Sequence, residues 1–292
     1  GISLQRIVEW FENQEIDHGA NAGWRTFFPD TPVIGYQGFL ASRHYLCMFP
    51  TTRELSLCLV PNRVAVMGKG LVESVREFCP KLIVDIAPSF RFEAVWRERT
   101  NEPDVSWFTI LISLPILPED CRTILDLAVQ AGGHVQKGKP WRFQVKAHPT
   151  WCRSDLAQMV AGLPAEFEVV KGVFETLLDR SDALITAASS TCAHAIARGV
   201  PVAIVGQRSG LVQNPIPVFA DPSLWTVCYS GADLGQTLGR YADADLPEIA
   251  HRRDLGEKFR ERTFEPVTQE SVRRFLGFGD IDSSANRIPV AS

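Results

Sequence analysis

Two short stretches of this 292-residue chain carry side chains suited to handling a phosphate. The first is Lys146-Ala147-His148-Pro149. A histidine can donate a hydrogen bond to a phosphate oxygen, neutral or charged, and Pro149 would fix the turn that presents it. The competing reading of His148 is a solvent-facing loop histidine. The second stretch is Ser189-Ser190-Thr191, three hydroxyls opening a helical pattern. The unpaired N–H groups and dipole of a helix N-terminus favour an anion there. Serine and threonine are also preferred N-caps, so capping alone would explain them. Both stretches at neighbouring strand ends would favour the phosphate reading, because capping does not predict His148.

A second set could move protons or hold substrate. Glu12, Asn13 and Gln14 are polar residues in an otherwise amphipathic pattern, beside Trp10 and Phe11. A carboxylate against aromatic surface is disfavoured in its charged form, which suits a general base. The alternative is an exposed helix face with amide caps. Asp17 and His18 form another acid/base pair, but neighbours on a helix diverge, so a break at Gly19 would be needed. Gly35 and Gly38 bracket Tyr36-Gln37, where the backbone could approach a ligand or simply turn. Arg91 and Arg208 could each grip a carboxylate by two parallel hydrogen bonds.

These residues need elements to hold them. Residues 109–114, 141–146, 167–170, 183–186 and 201–205 read as buried strands, being short apolar or β-branched runs. Residues 119–130, 154–161, 173–180 and 191–198 read as the helices between them, with Ser154 as an N-cap and Gly199 as a stop. Such alternation with short connections builds a parallel sheet covered on both faces. Ligands on these sheets sit at the carboxyl ends of the strands. The first hundred residues are mixed α/β as well. A helix is expected over 4–24 and another over 71–78, with strands at 32–36, 63–67 and 82–85. Residues 92–103 read as a linker, 248–277 as charged helix that could return to the first domain, and 280–292 as a fraying tail. The expected division is an N-terminal α/β domain at 1–100 and a C-terminal nucleotide-binding domain at 101–292.

The order of motifs resembles the C-terminal half of GT-B glycosyltransferases of bacterial surface-carbohydrate biosynthesis. It is closest to those using CMP-activated acidic sugars, the sialyltransferase-like and Kdo-transferase-like enzymes. In those families an HP motif and an SS/ST motif bind the CMP part of the donor. Here they are matched by His148-Pro149 and Ser189-Ser190-Thr191, followed by the helix and Gly199-Val200-Pro201-Val202. The resemblance covers about residues 109–205. It implies a GT-B fold of two Rossmann-like domains, with a crevice between them for the nucleotide sugar. It also implies donor contacts from Lys146 and from the backbone of Gly172. Many such enzymes carry a glutamate on the last helix that accepts from the donor ribose; this sequence has His194 there. In the first half, the run from Glu9 to Gln14 followed by Val33–Gly38 resembles an "ENQ … GYQ(H)G" pattern of surface-polysaccharide proteins. The catalytic candidates are Glu12 and His18; the acceptor or substrate candidates are Gln14, Tyr36 and Gln37, with Arg91 after the 82–85 strand and Arg208 in the loop after the 201–205 strand, where it could meet the donor sugar.

Composition narrows the field. The hydrophobic fraction is 45%, the charged fraction 22% and the net charge −4, ordinary globular values without the basic field of a nucleic-acid binder. No run of about 18 apolar residues occurs. Seven cysteines without regular spacing read as reduced thiols. Neither CxxC nor HExxH is present, which argues against zinc. The expectations are therefore a nucleotide-sugar donor, a glycan acceptor, no metal or other cofactor, no nucleic acid, and a cytoplasmic location with peripheral membrane association. A UDP-sugar transferase, a nucleotide-sugar epimerase of the same fold and a non-catalytic glycan-binding module are the alternatives. The chain opens Gly1-Ile2 without a methionine. Its first half holds fewer strands than a complete nucleotide-binding domain, so an upstream segment is expected.

Overall fold

A computed structural model describes residues 4–99, 104–133, 138–187, 189–207, 210 and 212–278. The chain divides into two compact units. The first comprises residues 1–38, 47–93 and 262–292; the second comprises 39–46 and 94–261. The division is thus crossed several times rather than once near residue 100.

The first unit contains β1 (Ile7–Trp10), α1 (Glu15–Phe27), β2 (Val33–Gln37), α2 (Thr52–Ser56), β3 (Arg63–Val66), α3 (Val72–Arg76) and β4 (Ile83–Ile86). Its four strands pair in the order β1-β2-β3-β4, all parallel. Phe11, Val64, Val66, Val75 and Leu82 form its core. The helix expected over 4–24 is a correction. Residues 7–10 are a strand, with half-buried Ile7 and Glu9 alternating with exposed Val8 and Trp10. Four residues show too little of either period to separate strand from helix. The alternation becomes decisive only once β1 pairs with β2. The expected linker is corrected in part as well. Residues 90–96 form 3₁₀ turns, and Phe92 and Val95 within them are fully buried.

The second unit contains β5 (Phe108–Ser113), α4 (Pro118–Gly132), β6 (Trp141–Lys146), α5 (Arg153–Val160), β7 (Phe167–Val169), α6 (Phe174–Asp179), β8 (Ala183–Thr186), α7 (Thr191–Ala197), β9 (Val202–Val205), β10 (Trp225–Cys228) and α8 (Gly231–Ala242). Its six parallel strands run in the order β10-β9-β8-β5-β6-β7. β5 is central and every residue in it is buried. The N-cap of α5 is Cys152 rather than Ser154. Ile110, Ile112, Phe143, Val145, Ile185, Leu234 and Leu238 pack into one core. Each large apolar side chain buried in this way stabilises the fold by about 1.5–3 kcal/mol. β10 and α8 were not anticipated from the sequence.

The charged stretch at 248–277 is two helices, α9 (Leu246–Thr263) and α10 (Gln269–Leu276). Between them, Glu265 forms a parallel bridge with Pro88, and its carbonyl accepts from Ser89 N at 2.9 Å. Within the second unit, α9 lies against the turn after α7. A Cβ on Gly199, whose φ is +69°, would stand 2.7 Å from Arg253 Cα.

Candidate functional site

The strand order of the second unit fixes where its loops converge. From β5 the chain steps to β6 and β7 on one side, and then to β8, β9 and β10 on the other. The carboxyl ends of β5 and β8 flank this reversal, where open α/β sheets hold ligands. His148 follows β6 and Ser189 follows β8, so they come from the two strands that flank β5.

The His148 loop is tied down from several sides. Trp151 N donates to His148 O at 3.0 Å, and Trp151 Nε1 donates to Pro115 O, in the loop after β5, at 3.0 Å. Thr150 N donates to His148 Nδ1 at 3.3 Å, and Thr150 Oγ1 lies 2.9 Å from the same nitrogen. With Nδ1 accepting, the neutral ring carries its hydrogen on Nε2, a donor for an anion. The ring is half-buried, and Pro149 beside it is exposed. Lys146 ends β6, and its carbonyl accepts from Leu114 N at 2.9 Å.

At the start of α7 the Ser189 hydroxyl oxygen accepts from Thr191 N at 3.3 Å and from Thr191 Oγ1 at 2.9 Å. Its own hydrogen is left to donate. Ser190 sits at the N-cap in helical conformation (φ −61°, ψ −15°), so it does not cap in the usual extended geometry. The loop after β9 joins the same end, with Gln207 Nε2 donating to Asp120 Oδ1 in the first turn of α4 at 2.6 Å. Gly172 lies between β7 and α6 with φ +140°, a backbone conformation that only glycine adopts readily. Arg208 lies outside the described residues.

His194 is buried on α7. Its Nδ1 is 3.7 Å from Glu175 Oε1, and its ring meets Phe174 edge-on. A carboxylate therefore stands next to His194, contributed by α6 rather than by α7. No sequence signal marks Glu175, because the pair exists only once α6 and α7 pack. Cys192 beside His194 is fully buried, and burial pushes its thiol up to about 12, so it is no nucleophile.

The first unit gathers a polar cluster after β1. Asn13 is buried with φ +58°, and its Nδ2 donates to Cys47 O at 2.8 Å. That orients Oδ1 towards His18 Nε2, 3.1 Å away, and Glu54 Oε1 of α2 lies 3.5 Å from the same nitrogen. No helix break occurs at Gly19. Asp17 instead accepts from Glu12 N and Gln14 N at the start of α1, while His18 faces Glu54. Glu12 is not part of a helix. It lies in the turn after β1, with Oε1 accepting from Trp10 Nε1 at 2.7 Å. The carboxyl that burial raises is Glu9, opposed by its hydrogen bonds from Asn21 and Trp24. Glu9, Glu54 and Glu175 are candidate residues that the sequence did not single out, whereas Asn13 was named there for its polarity alone.

The remaining acceptor-side candidates divide by their surroundings, Tyr36 and Gln37 being buried and Gln14 and Arg91 exposed. Tyr36 is buried, its hydroxyl donates to Pro88 O at 2.8 Å, and burial pushes that group up to about 12. Gln37 is buried and donates to Met48 O. A Cβ on Gly38 would stand 2.5 Å from the Trp10 and Tyr36 rings, so side chains occupy the space expected for a ligand. Gln14 is the exposed N-cap of α1, and Arg91 is exposed in the 3₁₀ segment.

Solved structures share this architecture. The S. aureus MnaA–UDP complex superposes with a TM-score of 0.61 at 10% identity, covering 93% of this chain and 74% of that one. CalG4, the calicheamicin glycosyltransferase, gives 0.55 at 15% identity, covering 95% and 74%. The Neisseria meningitidis UDP-GlcNAc 2-epimerase bound to UDP-GlcNAc gives 0.53 at 12% identity, covering 94% and 76%. The fold is GT-B-like. No family model matches the chain, and no curated protein matches it. Among the described residues no helix is long and apolar enough to cross a membrane.

Proposed function

We propose that this chain is a glycosyltransferase that takes its sugar from a nucleotide-activated donor. The observation that carries the reading is the placement of His148 and Ser189 on the two strands flanking β5, at the reversal of strand order. When the bond from the anomeric carbon to the phosphate oxygen breaks, the electron pair leaves on the phosphate. Hydrogen bonds from His148 Nε2, the Ser189 hydroxyl and the Ser190–Thr191 turn would stabilise that developing charge. Lys146 adds positive charge at the end of β6. Gly172 lets the backbone approach the base, and Glu175 beside His194 is the carboxylate for the ribose hydroxyls. For proton transfer, His18 and Glu12 of the first unit have suitable chemistry.

The motifs favour a CMP donor carrying an acidic sugar, with a bacterial surface glycan as acceptor, at the cytoplasmic membrane face. A UDP-sugar transferase or epimerase is the second reading, supported by the UDP and UDP-GlcNAc found in the structures above. A thermal-shift panel with CMP, CDP, UDP and GDP decides between them. A ligand bound only by the native state adds about 2.7 kcal/mol at a hundredfold excess over Kd. The expected result is a shift with CMP, lost in His148→Ala and Ser189→Ala. A shift with UDP alone selects the second reading, and product analysis then separates transfer from epimerisation. A shift that survives both substitutions, or no shift with any nucleotide, overturns the site.

A further inference from the structure

The second unit holds a cavity of about 320 Å³ beyond the C-terminal end of α7, the far end of that helix from Ser190. Arg97, Arg99, Arg198, Arg253 and Arg260 line it, against two carboxylates, Glu98 and Glu257. This surplus stands out in a chain of net charge −4. Part of it is structural. Arg198 donates to Asp179 Oδ1 at 2.7 Å and to Ala94 O at 2.7 Å, and Arg260 lies over the Trp96 ring at 5.0 Å. Those contacts leave donors over. Arg198 Nε and Arg260 Nε are buried, and among the described residues neither has a hydrogen-bond partner. The Arg198 side chain is only 4% exposed. A buried guanidinium short of acceptors leaves its positive charge poorly compensated, and that is the field an oxyanion in the cavity would meet.

We infer that this cavity binds a dianionic phosphate group, inorganic or esterified, as a second anion site distinct from the carboxyl-end cluster. Guanidinium groups match tetrahedral oxyanions through paired N–H donors. The lining carries a formal excess of three positive charges, so a dianion suits it better than a single carboxylate. Arg99 and Arg253 also line a cavity of about 430 Å³ at the amino ends of β5, β8 and β9, which adds Lys139 and Arg252 alongside the carboxylates Asp182 and Asp245. The Nε of Arg252 is likewise buried without a partner. This inference does not depend on the glycosyltransferase reading.

Isothermal titration of the full chain with inorganic pyrophosphate, and separately with glucose 1-phosphate, tests it at low and physiological salt. At least one titrant is expected to bind at one site, more weakly as salt rises. In Arg253→Gln/Arg260→Gln the affinity should fall at least about tenfold, the scale of losing charge-assisted bonds. Arg253 is exposed, so the single Arg253→Glu variant keeps the test open should the double variant fail to fold. Lys258→Gln, on the same helix but paired with Asp254, should bind as the parent does. Binding that survives the arginine substitutions but disappears in His148→Ala would overturn the inference, as would no binding of either titrant.

Discussion

Breaking the buried ion pair behind α7 should cost the second unit a large part of its stability. Asp179 closes α6 and Arg198 follows α7; both side chains are 4% exposed and their charged atoms are 2.7 Å apart. Replacing Asp179 with alanine leaves the Arg198 guanidinium buried, with the Ala94 carbonyl as its remaining hydrogen-bond acceptor. Removing one partner of such a pair typically costs about 3–5 kcal/mol, because the surviving charge stays desolvated. That is about a third to a half of the total for a domain of about 10 kcal/mol. Arg198→Met should cost less, since Arg99 Nε stands 3.9 Å from Asp179 and partly compensates the remaining carboxylate. The double variant Asp179→Leu/Arg198→Met should recover most of the loss, because well-packed apolar replacements of buried pairs are about neutral. Urea denaturation of the parent, Asp179→Leu, Arg198→Met and the double variant gives the coupling directly. A loss below about 1 kcal/mol in Asp179→Ala, the range of an exposed pair, would refute the reasoning.

Four further outcomes are expected. Glu9 is raised by burial, so the native state binds its proton more tightly than the unfolded state, whose carboxyl titrates near about 4.3. This contribution to stability is fully present below the unfolded pKa and is lost as pH rises through the folded one. Glu9→Gln should remove that slope in urea midpoints, and a Glu9 carboxyl found by NMR to titrate below the unfolded value contradicts it. Gly199→Ala combines a φ of +69° with a Cβ 2.7 Å from backbone, and should lower stability by at least about 2 kcal/mol in thermal melts. Neutral His18 should carry its hydrogen on Nε2, since Asn13 Oδ1 and Glu54 Oε1 both accept there; ¹⁵N shifts reporting the Nδ1–H form would exclude that arrangement. His148→Ala should weaken nucleotide binding by about 1.5–3 kcal/mol, the usual value of a hydrogen bond to a charged group, in a titration with the nucleotide that gives the thermal shift.

The second unit was legible wherever a strand is buried on both faces. TILISL and PVAIV are apolar runs bounded by proline, glycine and helix signals, so period and punctuation agreed. The placement of His148 and Ser189 was legible for a related reason: in a parallel sheet, a residue just after a strand lies at the strands' carboxyl end. The first unit was harder. In Ile7–Trp10, hydrophobic residues flank a glutamate and then run into more polar positions, and four residues cannot fix a period. The turn that follows depends on Asn13 at φ +58°, held by a contact to Cys47 that lies 34 residues on.

The sequence alone determined the alternation of strands and helices in the second unit, and with it that His148 and Ser189–Thr191 follow strands of that sheet, because both are local properties. Tertiary structure alone decided that β5 lies between β6 and β8, that Glu175 meets His194, that Glu54 meets His18, and that five arginines surround one cavity. It also moved Tyr36 and Gln37 from a ligand surface into the core. Each of these depends on which distant segments pack together, and the free energy that selects the packing is summed over the whole apolar interior.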